Sequence, residues 1–206
     1  MPPARLARDY DRQGRANRAR ARAVLAAGWA VLAMPVVMFL AEDGFGRFAN
    51  LGEAVNALGI IAGLLATSAL LAMLLLSARV PVIDRALGQP RATSLHSTLG
   101  DAVVLGLVGH ALAVLGGYAI MDGMSIVDEF VLMWGEDVDL VLAVAGIVLL
   151  GVVVVSSIAA ARRRLPYEAW HAIHLASYVA VGLAVPHMFS MSGLLAEGSW
   201  QRTYWI

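Results

Sequence analysis

Five apolar runs, each long enough to cross a bilayer and each bordered by clustered charge, leave this chain few ways to fold. They occupy residues 23–41, 54–78, 96–122, 140–161 and 167–195. Inside hydrocarbon every backbone amide must find its partner within the protein, so runs of this length become helices. With 60% hydrophobic and 15% charged residues, the chain belongs with integral membrane proteins. The expected fold is all-α, an antiparallel helical bundle of five spans joined by short connections. Three segments follow from this division: an Arg-rich segment over 1–22, a transmembrane bundle over 23–195, and an interfacial aromatic segment over 196–206 holding Trp200, Tyr204 and Trp205. The first apolar run lies behind the Arg-rich segment and is long enough to span, so it does not read as a cleavable signal.

Charge placement gives the topology. All fifteen basic residues are arginines, and thirteen of them fall in 1–22, in the 79–91 connection, or at Arg162, Arg163 and Arg164. Positive residues resist translocation, so these three stretches are expected on the cytoplasmic side of a cell membrane, with the N-terminus inside. Pro35 predicts a kink in the first span, and Pro81 and Pro90 are expected to stop the second span from running on. The connection that carries Asp122, Asp128, Glu129, Glu136, Asp137 and Asp139 has no basic residue and is expected outside. A net charge of zero suggests no nucleic-acid partner, and the bilayer is the partner that composition implies. The absence of cysteine excludes disulfides, iron–sulfur ligation and thiol catalysis.

The five histidines, His96, His110, His171, His174 and His187, all lie in the third and fifth runs. Intramembrane histidine is costly enough to suggest function, although each one alone could simply hydrogen-bond a neighbouring helix. Fourteen residues separate His96 from His110, about 40° short of four turns and roughly 21 Å of rise, so both leave one helix face. Both runs travel outward, which puts His96 and His174 near the cytoplasmic ends and His110 and His187 about 20 Å beyond. Neutral imidazoles at matched depths can close both axial positions of a haem, pairing His96 with His174 and His110 with His187. His174 and His187 are about 140° out of phase on an ideal helix, and Pro186 after Gly182 invites a kink or π-bulge that would realign them. Gly100 and Gly106 either make room for porphyrin or serve helix packing.

At LHSTLG, with a histidine fourteen residues on, and at RRRLPYEAWHAIHLASYVAVGLAVPH, with its last pair thirteen apart, the chain resembles the ferric reductase-like transmembrane domain. This is the haem-bearing membrane part of ferric reductases, NADPH oxidases and the bacterial methionine sulfoxide reductase membrane subunit. The resemblance implies two b-type haems with His96, His110, His174 and His187 as axial iron ligands, and gives His171 no ligand role. By position alone His171 remains open as an alternative inner ligand or as a partner of a haem propionate or neighbouring helix. Arg91 and Arg162 to Arg164 stand where propionates would project, or serve only to set topology. Trp170, Tyr167 and Tyr178 could pack on porphyrin or anchor the interface, and Asp101 could snorkel to water or tune a haem potential.

Members of this family generally have a sixth span, and the fused reductases add a cytoplasmic domain for FAD and NAD(P)H. This sequence has no glycine-rich phosphate loop after a strand and no soluble stretch long enough for a dinucleotide fold. Those cofactors are therefore expected on a further part of the protein or on a flavin-dependent reductase partner at the cytoplasmic side. The function implied is transmembrane electron transfer from the cytoplasmic side outward. The competing class is a haem-free membrane anchor or assembly subunit whose histidines only pack.

Overall fold

Apolar helices long enough to cross a membrane organise the chain. The computed structural model describes residues 3–41, 46–136, 138–158 and 162–191. Seven α-helices cover them: α1 (Pro3–Phe39), α2 (Leu51–Ser77), α3 (Pro81–Leu87), α4 (Gln89–Asp122), α5 (Ile126–Glu136), α6 (Val138–Ser157) and α7 (Tyr167–Met191). No strand occurs among the described residues. Among the described residues, five stretches meet the length and hydropathy a span requires: Gly14–Phe39, Leu51–Ser77, Gln89–Asp122, Val138–Ser157 and Tyr167–Ser190. The protein is an all-α, multi-pass integral membrane protein. The aromatic segment expected at 196–206 lies outside the described residues.

Surface and interior follow the membrane rule. Large apolar side chains such as Leu105 and Val148 are exposed, because hydrocarbon solvates them. The contacts between helices instead fall on small residues, which let backbones approach where no hydrophobic force drives association. Two compact units divide the chain, Met1–Met38 with Ala62–Gly106, and Phe39–Ile61 with Leu107–Ile206.

In the first unit α2 and α4 run antiparallel. A Cβ on Gly106 would stand 3.0 Å from the Ala66 Cβ, and one on Gly100 would stand 3.4 Å from the Met73 Cε. The α2 helix is followed by Arg79, held at φ 52° in the left-handed region. α2 stops at Ser77, but Pro81 does not keep the connection free of helix: it begins α3, since a proline at the first helical position loses no bond the helix would have made. Gly88, at φ 75°, turns the chain into α4, and Pro90 sits harmlessly in its first turn. Helix thus begins seven residues before His96, where the apolar pattern starts.

In the second unit the other halves of α2 and α4 also run antiparallel, and more tightly. A Cβ on Gly117 would lie 2.7 Å from the Asn56 backbone nitrogen, and one on Gly52 would lie 2.6 Å from Met121. α6 packs along α7, where a Cβ on Gly146 would stand 2.8 Å from the Ala180 carbonyl oxygen. The acidic connection between the third and fourth spans is itself helical. Ser125 caps α5, accepting from the Asp128 backbone N–H at 3.1 Å and donating to its carboxylate at 2.7 Å. Glu129 is buried, while Val127, Val131 and Trp134 are exposed.

Candidate haem site

On α4 both histidines are fastened to main-chain carbonyls of α2. His110 Nδ1 lies 2.9 Å from the Gly59 carbonyl oxygen. A carbonyl only accepts, so Nδ1 carries the proton and Nε2 keeps its lone pair. Gly59 is what permits the approach: a Cβ there would stand 2.8 Å from the Val114 backbone nitrogen. His96 is held on the same principle by the Met73 carbonyl at 3.3 Å, with the Ser77 hydroxyl at 3.5 Å. The two carbonyls, like the two histidines, are fourteen residues apart. The antiparallel helix therefore offers an acceptor at the interval at which α4 offers a donor.

On α7 the lock is a hydroxyl. Ser157 donates to the Val153 carbonyl at 2.8 Å, which leaves its oxygen to accept from His174 Nδ1 at 3.4 Å and from Trp170 Nε1 at 3.4 Å. Again the arrangement leaves Nε2 as the ring's lone pair. Ser77 has the same posture, donating to Met73 at 2.6 Å. Ser77 and Ser157 are the last residues of α2 and α6, each just ahead of an arginine-bearing turn. Trp170 stacks on His174 with ring centroids 5.1 Å apart, and Arg162 covers Trp170 at 4.5 Å. Arg91, Arg163 and Arg164 are exposed, as are Asp101 and Tyr178. His171 is also exposed and stacks on Tyr167 at 5.7 Å, with the two planes within 7°.

His110 and His187 come together in the second unit, their ring centroids 6.2 Å apart and their planes at 68°. Two metal–imidazole bonds of about 2 Å, plus the distance from each nitrogen to its ring centre, add to roughly 6 Å. By that separation His110 and His187 are the residues that would hold one iron between them. Among the described residues no three histidine or carboxylate side chains converge on a bare metal ion. A porphyrin iron would ask the protein for only two ligands, which a histidine pair could supply. Gly109, next to His110 in the chain, has nothing within 4 Å of where a Cβ would stand, so α4 keeps open space there.

Two sequence expectations change here. The face of Gly100 and Gly106 is filled by α2, so these glycines serve helix packing and leave no room for porphyrin. No π-bulge realigns α7 at Pro186, because residues 167–191 are α-helical throughout. The phase offset is used as it stands: His174 meets Ser157 of α6, and His187 meets His110 of α4.

The family model of the ferric reductase-like transmembrane component matches residues 62–185, more than half of the chain. The chain belongs to this family. Four of the five histidines fall inside the match, and His187 lies two residues past its end. No curated protein and no solved structure matches. Membership makes a role in transmembrane oxidoreduction the coarse functional assignment, and haem is the cofactor that members of the family generally bind. Sequence reasoning had passed over Gly59, Met73, Ser77 and Ser157, all on the spans without histidine. The readable signal was modest: a serine closing the span ahead of each histidine-bearing one.

Proposed function

We propose that the chain carries single electrons across the cell membrane, from the cytoplasmic side outward, on two b-type haems held by His110 with His187 and by His96 with His174. The observation that carries the proposal is the 6.2 Å separation of His110 and His187, together with the Gly59 carbonyl that fixes the His110 tautomer. When bound, haem supplies an iron that gains or loses one electron. The residues do the rest. Carbonyl and hydroxyl acceptors hold Nδ1 and aim Nε2, and the apolar helices exclude water and keep the surroundings of low dielectric. Trp170 and Arg162 confine the His174 ring by stacking. His171, exposed and paired with Tyr167, is left as the spare histidine.

Electrons would come from a flavin-dependent reductase domain or subunit at the cytoplasmic side. A pyridine haemochrome assay on the purified chain should give two haems per protein, with a low-spin, bis-imidazole absorption spectrum. A ratio near zero would favour the haem-free anchor. In proteoliposomes of known orientation NADPH alone should leave the chain oxidised, and a cytoplasmic flavin reductase should restore transfer to an external acceptor. His110→Ala should abolish that transfer.

A further inference from the structure

A second polar site lies in the second unit, away from the histidine rings. Gly46, Arg47, Glu53, Asn56, Tyr118 and Met121 line a pocket of about 410 Å³, within the size range of small-ligand sites. The pocket sits where α2 begins and α4 ends, at the level where spans meet headgroups. Three polar groups meet at its wall, with the Arg47 guanidinium resting over the Phe39 ring at 5.4 Å. Arg47 and Glu53 carry opposite charges into the same space, yet they form no ion pair with each other. Asn56 is only 8% exposed, and its Nδ2 has no hydrogen-bond partner among the described residues. A buried amide donor left unpaired is costly, so a guest that accepts from Asn56 would be favoured there.

The charges define that guest. A simple anion would satisfy Arg47 and Asn56 but would face the Glu53 carboxylate, and a simple cation would face Arg47. A dipolar molecule satisfies both ends, with an oxyanion toward Arg47, Asn56 and the Tyr118 hydroxyl and an ammonium toward Glu53. We propose that this pocket binds a phosphate–ammonium zwitterion of the phosphoethanolamine type, through Arg47, Asn56 and Tyr118 at the phosphate and Glu53 at the ammonium. The source is either a phosphatidylethanolamine headgroup from the bilayer or the free zwitterion. Asn56 is three residues from Gly59, so a guest also steadies the turn of α2 whose carbonyl holds His110.

Native mass spectrometry of the full chain in detergent tests this against matched-chain phosphatidylethanolamine, phosphatidylcholine and phosphatidylglycerol, and against O-phosphoethanolamine. Phosphatidylethanolamine should be retained about tenfold over the other two lipids, since choline cannot donate a hydrogen bond to Glu53 and glycerol brings no cation. Arg47→Gln and Glu53→Gln should each erase the preference. Asn56 packs on Gly117, so Asn56→Asp is the third variant: it keeps the shape and turns the donor into an acceptor. Displacement of the lipid by O-phosphoethanolamine would identify the free zwitterion as sufficient, whereas lipid retained in its presence would identify the bilayer as the source. Equal retention of all three lipids, retention of none, or indifference to the three substitutions would overturn the proposal.

Discussion

His110 and His174 lie in the same unit and solve one problem in two ways. On the proposed ligation each would present Nε2, and so each would spend Nδ1–H elsewhere. His110 spends it on a main-chain carbonyl at 2.9 Å, and His174 on a serine hydroxyl at 3.4 Å. The carbonyl cannot be deleted by substitution and is lost only if α2 moves. A hydroxyl is removed by changing one atom. The first lock is therefore part of the helix packing, and the second is a separate, adjustable contact.

The sharpest test of this contrast is Gly59→Leu. A Cβ there meets backbone atoms of α4 at 2.8 Å and 3.1 Å, which cannot give way, so the helices must part. The expected cost is at least the roughly 1–3 kcal/mol of an overpacked core, read as a lower Tm, with loss of one haem in the pyridine haemochrome assay. Next in size, His187→Ala and His174→Ala should each lower haem content from two per chain to one without a comparable fall in Tm. If either left two haems, the pairing would be wrong.

Ser157→Ala should act more gently. The fold should hold, while affinity for the haem at His174 falls by about 10- to 100-fold, as is usual when a ligand loses its outer partner. A shifted midpoint potential for that haem alone would separate a positioning role from a merely structural one. Smallest of all is His171→Ala, which should keep both haems and both potentials. Loss of the inner haem in this variant, with retention in His174→Ala, would transfer the ligand role to His171.

Much of this molecule is written in the linear chain. The five spans depend on local composition alone, because the cost of placing a peptide in hydrocarbon is met within each helix. The depths of His96, His110, His174 and His187 follow from rise per residue, which needs no partner. What each face meets depends on another helix, and a single chain reading cannot assign it. The glycines at 100 and 106 show this, since the space they leave is taken by α2. So do Pro81 and Pro90, which sit in the first turns of α3 and α4.

The sequence by itself thus determined the class of protein, the number of spans and which spans carry histidine, because hydropathy and helical rise are local quantities. Only the tertiary structure decided which acceptor holds each Nδ1, that His171 turns outward, and that His110 and His187 close to 6.2 Å. Those outcomes rest on helix phase and on contacts between segments as far apart in the chain as Gly59 and His110, where one glycine sets how near two backbones can come.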